Sequence, residues 1–229
     1  MQTKKMLPAV CLTMYLTLLA LPCCEPTDDD REFNKSVLLL DGDLPKYTEY
    51  GYNMAGAKIT TVNRHRTLEQ VWRLFSYNYS GIADARISKA GDGMLRFSLM
   101  GYKTPDNVME ILFDFRSEMP NSLTGLQELL AGQKFSSQQG TLLVELPSGD
   151  ENFGNGLNVT SASLHFIRSR NIYADSNERR GVSLSGTFEF AGTFIENGEN
   201  VSITVSSGRF DILFSSSYGD NSIEFSNIL

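Results

Sequence analysis

Between Met94 and Phe214, apolar and polar side chains alternate with period two in six separate runs. Such alternation marks a strand with one buried and one wet face. "MLRFSLMGY" sets Leu95, Phe97 and Leu99 against Arg96 and Ser98. "MEILFDFR" sets Ile111, Phe113 and Phe115 against Glu110, Asp114 and Arg116. "GTLLVEL" groups Leu142, Val144 and Leu146. "VTSASLHFI" groups Ala162, Leu164 and Phe166, with Ser161, Ser163 and His165 opposite. "VSLSGTFEF" places Leu184, Phe188 and Phe190 on one face, with Gly186 between them. In "VSITVSSGRFDILF" the parity switches between Val201, Ile203, Val205 and Phe210, Ile212, Phe214. The break falls at Ser207–Gly208 and predicts a β-bulge or bend.

The connectors fit hairpins. "NGEN", Asn197 to Asn200, is a tight-turn signal. "KAGDG" at Lys89–Gly93 and "SGDENFGNG" at Ser148–Gly156 are rich in turn residues. "RSRNIYADSNERR", Arg168 to Arg180, is the most basic stretch, offset by Asp175 and Glu178, and reads as a polar hairpin loop. Only "SLTGLQELLAG" reads as a helix. Ser122 caps it, Leu123, Leu126, Leu129 and Leu130 form its stripe, and Gly132 ends it. The predicted fold class is all-β, with roughly eight to ten strands in one domain. An antiparallel meander closes into a lipocalin-like barrel with one short helix, and a β-sandwich or jelly roll is the alternative.

The beginning of the chain is different. Lys4 and Lys5 precede an apolar segment from Met6 to Leu21, which has the layout of a secretory signal peptide. A transmembrane helix needs about 20 apolar residues, and this run is followed by acid rather than by a basic stop-transfer segment. Its end resembles a bacterial lipoprotein signal, which closes with Leu, two small residues and the cysteine that receives lipid. Cleavage before Cys24 puts Leu21 three positions upstream. Cleavage before Cys23, the alternative, puts Pro22 at the scissile bond. With Cys24 lipidated, the body carries no other cysteine, since the chain has only three and the others are Cys11 and Cys23. Disulfides and thiolate metal sites are then excluded. Residues 1–23 are read as the signal peptide, 24–35 as an acidic lipidated tether and 36–229 as a single β-barrel-like domain.

Glu25, Asp28, Asp29 and Asp30 follow the cysteine. This acidic run resembles the export signal of Bacteroidetes surface lipoproteins, and the resemblance implies an outer-membrane, lipid-anchored protein exposed on the cell surface. An acidic solvated tether without an address is the plainer reading. Sequons at Asn34, Asn78, Asn158 and Asn200 would suit a eukaryotic secreted chain instead. From Ala55 to Phe214 the pattern resembles small Bacteroidetes lipoproteins with a lipocalin-like, or calycin-like, β-domain. The carriers are "LLLDGD", "VTSASLHFIRSR", "SLSGTFEFAG" and "ITVSSGRFDILF". The resemblance implies a fold and leaves function open.

Charge narrows the partners. A formal net charge of −7 with no basic run argues against nucleic acid. No G-x-S-x-G elbow is present. His65 and His165, the only histidines, sit in polar surroundings. Glu110 and Asp114 share a strand face, as a glycosidase pair would, but Arg116 is placed to neutralise Asp114. Asp150, Glu151 and Asn152 lie in a glycine-rich loop without EF-hand spacing. The chain therefore reads as non-catalytic, without cofactor or metal. What remains is aromatic. Tyr47, Tyr50 and Tyr52, with Trp72, Tyr77 and Tyr79, offer ring faces that stack on sugars or, equally, pack strands. The expected function is a surface binding or accessory module for a glycan. The alternatives are a structural or host-interaction scaffold that engages a surface protein, and a barrel that carries a small apolar ligand.

Overall fold

A computed structural model describes residues 40–41, 44–45, 47, 51, 53–75, 85–91, 93–104, 107–118, 120, 122–146, 156–173, 180–196, 198–215 and 222–223. The strands are β1 (Leu40–Asp41), β2 (Leu44–Pro45), β3 (Met54–Val62), β4 (Thr67–Phe75), β5 (Ala85–Gly91), β6 (Met94–Thr104) and β7 (Asn107–Arg116). After the helix α1 (Leu123–Leu130) come β8 (Lys134–Ser136), β9 (Leu142–Glu145), β10 (Asn158–Tyr173), β11 (Arg180–Glu196), β12 (Glu199–Ser215) and β13 (Ser222–Ile223). The class is all-β and mostly antiparallel, with one short helix among the described residues.

β1 and β2 form a small two-stranded sheet, and the remaining strands form one large sheet. Its main path runs β8–β10–β11–β12–β3–β4–β6–β5–β13, with β7 laid between β6 and β9. β13 pairs with β5 in parallel. The expected barrel closure is not what the pairing gives. A single residue pair, Arg73 with Tyr102, joins β4 to β6, and no ladder joins β8 to β9 among the described residues. Alternation tells a strand which side is wet; it carries no information about which edges meet.

The predicted inward positions are the observed core. Leu95, Phe97, Leu99, Ile111, Phe113 and Phe115 are all inaccessible, as are Leu164, Phe166, Leu184, Ile212 and Phe214. Phenylalanine rings interlock at the centre. Phe97 and Phe210 centroids lie 5.0 Å apart, Phe113 and Phe188 5.2 Å, and Phe115 and Phe135 4.6 Å. Rings at these separations add about 0.5–1.5 kcal/mol per pair beyond area burial.

The helix forms as its sequence predicts. The Ser122 side chain accepts from Gly125 N at 3.0 Å, Leu126 and Leu130 are buried, and Gly132 takes φ +74° just past the end. Phe166 N then donates to Gln133 O at 3.0 Å, which ties the helix exit to β10. At the "NGEN" turn, Glu196 pairs with Glu199 and Gly198 takes φ +81°. The basic stretch after Arg168 departs from expectation. β10 runs on to Tyr173 and β11 starts at Arg180, so much of the predicted loop is strand. The β10–β11 ladder extends to the pair Tyr173–Arg180 and holds that backbone, whatever the side-chain pattern.

Candidate functional site

Three bulges bend the strands of the outer face. On β12, Ser206 and Ser207 together oppose Glu189, because Phe188 pairs with Gly208 and Phe190 with Val205. Ser207 carries the bend at φ +54°. Gly208 has no room for a side chain, since a Cβ there would strike the Phe188 carbonyl and ring. The bulge is the parity switch expected from the sequence. It turns Ser206, Ser207 and Arg209 to the same side while keeping Val205 and Phe210 inward. On β10, register shifts leave Thr160 and Ile167 as the extra residues.

These bends shape two adjoining grooves of about 340 Å³ and 450 Å³. Ser163 and Glu189 line both, so the two form one trough. One arm holds Ser136, Gln138, Ser161, Thr204 and Ser206. The other holds Tyr47, Ile167, Thr187, Ser207 and Arg209. The trough is thus rich in hydroxyls, with one tyrosine ring, one carboxylate and one guanidinium, beside an apolar part formed by Ala162, Phe190, Ala191, Val205 and Ile167. Such volumes fall in the range of small-ligand sites.

Tyr47 reaches the trough from the segment that precedes β3. Farther along this segment, Gly51 N donates to Asp211 Oδ1 at 2.8 Å, and Ser183 Oγ and Ser185 Oγ donate to the same oxygen at 2.9 and 3.2 Å. Asp211, Ser183 and Ser185 are almost fully buried. Leu213 N donates to Asn53 Oδ1 at 2.8 Å beside them. This polar latch fixes the segment to β11 and β12. Sequence periodicity gives no sign of it, because Asp211 occupies an outward position that the pattern assigns to water.

His165 pairs in register with Lys134 on β8 and with Thr187 on β11. Burial, and then the Lys134 ammonium, hold its pKa below the ordinary histidine value. His65 is exposed in the β3–β4 turn, where Asn63 Oδ1 accepts from His65 N and Arg66 N at 2.9 Å.

The carboxylate pair resolves differently from expectation. Asp114 is 7% exposed and accepts from Arg96 Nε and Nη2, both at 2.7 Å. Arg96 also reaches Glu145 at 3.2 Å. Arg96 and Asp114 face each other in the β6–β7 register, whereas Arg116 pairs with Met94. The expected Asp114–Arg116 pair is therefore replaced by a bidentate bridge that ties β6 to β7 and raises the Arg96 pKa.

Trp72 is a correction. Its side chain is inaccessible, its Nε1 donates to Met109 O at 3.0 Å, and its ring meets Phe188 edge-on at 6.1 Å. It offers no face to a sugar and belongs to the core. Tyr50, Tyr52, Tyr77 and Tyr79 lie outside the described residues. So do Cys23, Cys24, Glu25, Asp28, Asp29 and Asp30, and the loop residues Asp150, Glu151 and Asn152. No group of three or more His, Cys, Asp or Glu side chains placed to hold a metal occurs among the described residues. The chain matches no protein-family model, no curated protein and no solved structure.

Proposed function

We propose that this chain is a lipid-anchored surface protein whose β domain is a non-catalytic binding module that captures carbohydrate in the outer trough. The observation that carries the reading is the trough's lining. Serine and threonine hydroxyls exchange hydrogen bonds with sugar hydroxyls in either direction. Glu189 and Arg209 supply planar acceptor and donor groups, and Tyr47 supplies a ring with a polar tip. A shallow, open trough on a sheet face stays wet, which suits a ligand that is itself hydrated, and its apolar part suits the C–H face of a sugar ring. The interlocked rings of the core argue for this outer site over an interior one that carries an apolar ligand.

The test is affinity electrophoresis of the detergent-purified full chain through gels that contain host and plant polysaccharides. Retardation in at least one gel, lost in Glu189→Ala and in Tyr47→Ala with unchanged melting temperature, is the expected result. Uniform migration across a broad panel would transfer the reading to a scaffold that meets another surface protein. The anchor has its own test. Several acyl chains on Cys24 hold far more tightly than one, at about 0.8 kcal/mol per buried CH₂. Cys24→Ser should therefore leave the membrane fraction, and its retention there would remove the anchor from the proposal.

A further inference from the structure

Glu189 faces two residues of β12 at once, because the bulge sets Ser206 and Ser207 together opposite it. On its other side it pairs with Ser163 of β10. It is exposed, and among the described residues it makes no ion pair and no side-chain hydrogen bond. The hydroxyls of Ser161, Ser163, Thr204 and Ser206 are uncommitted as well. All five residues line the arm of about 340 Å³, where Glu189 is the only charged residue. The basic residues nearby leave that charge in place. Arg209 lines the other arm and already has a partner. His165, opposite Thr187 and two residues along the strands, is held toward its neutral form. Lys58 and Lys134 stand two strands away from β11, about 10 Å at the usual strand spacing, and line neither arm. The arm is thus an open set of acceptors around one unneutralised carboxylate, on a chain whose formal net charge is −7.

We propose that the carbohydrate captured in the trough is an amino sugar with a free ammonium group, and that Glu189 is the residue that selects it. This inference rests on the carbohydrate reading above. An ionised carboxylate only accepts hydrogen bonds, and an ammonium only donates them. Their hydrogen bond is charge-assisted and about twice as strong as one between neutral groups. The remaining ammonium donors fall to the uncommitted hydroxyls around Glu189, while the sugar's C–H face rests on the apolar part of the arm. A sugar carboxylate or sulfate is repelled by the same residue, so attraction and repulsion both act toward one ligand class. Acetylation of the amine removes the charge and most of the donors. The negative field of the whole chain adds a longer-range pull on a cationic saccharide, which salt weakens.

Isothermal titration of the detergent-purified full chain against matched oligosaccharides tests it. A chitosan oligomer, its fully N-acetylated form and a cello-oligomer share one backbone and differ in a single substituent, which is ammonium, acetamide or hydroxyl. An oligogalactosamine, its N-acetylated form and a neutral galactan oligomer make a second set. In at least one set the ammonium member should bind about tenfold tighter than the other two or better, with the difference shrinking as salt rises. Glu189→Gln should abolish that difference at an unchanged melting temperature, and Glu189→Asp should keep part of it. The wild-type comparison depends on no variant. Equal affinity within each set that binds, or tighter binding of the uncharged members, would overturn the amino-sugar assignment and leave carbohydrate capture standing. A preference that persists in folded Glu189→Gln would remove Glu189 as its source and overturn the proposal. Absence of binding by both sets would overturn it too, and the carbohydrate reading would then rest on the polysaccharide gels alone.

Discussion

Trp72 shows how one side chain can be read two ways. A tryptophan face has the same stacking chemistry against a sugar or against Phe188, and local sequence does not say which it meets. The indole N–H settles it here, because a buried indole takes a partner and finds the Met109 carbonyl. Trp72→Ala should cost roughly 3–5 kcal/mol of stability, read by denaturant titration, because it empties a core position. Trough affinity of the folded fraction should not change. Asp211 is the converse case, a carboxylate assigned to water that is instead buried beneath three donors. Asp211→Ala leaves Gly51 N and two hydroxyls without that acceptor, at about 1–3 kcal/mol for each such group. Asp211→Asn keeps an oxygen there and should be milder, and a larger loss for Asn than for Ala in equilibrium unfolding would sink that account. For His165 the folded pKa lies below the ordinary 6.5. The unfolded chain then binds more protons in the window beneath 6.5, so stability rises with pH across that window and is flat above it. His165→Asn should flatten the slope in a pH series of melting curves. An unchanged slope would assign it to another group.

At the scale of strands, the most legible elements are those with large inward side chains. The six alternating runs all form strands, and their inward residues are the core. β3 gives a weaker signal because its inward positions include Ala55 and Ala57, too small to register as an apolar stripe. β4 is masked by its own composition, since Val71 among the outward positions blurs the alternation of Trp72 and Leu74 with Arg73. The bulge at Ser207 is legible as a change of parity, and its position at the trough is not, since that depends on Glu189 across the strand pair. Gly208→Val places a branched side chain against the Phe188 carbonyl. The expected outcome is a large fall in melting temperature and loss of ligand retardation in whatever remains folded. Wild-type melting behaviour in this variant would mean that the strand can shift there without cost.

For the whole molecule, the all-β class is legible and the closure is not, because edge pairing is settled by contacts remote in sequence. The candidate site shares that origin. Its lining residues come from β8, β10, β11 and β12, and only the assembled registers bring them together. The pairing of β3 with β12, in which Val62 meets Ser202, carries a further consequence. A ribosome delivers β3 and β4 long before β12, so the hairpin emerges well ahead of the strand that completes it. Contacts this distant in sequence form slowly. In the interval one side of β3 is a bare edge, open to any other extended chain. The sheet that carries the trough is therefore finished only once β12 has been made, and a protein truncated before β12 should be a hazard to its neighbours rather than a smaller working version of itself.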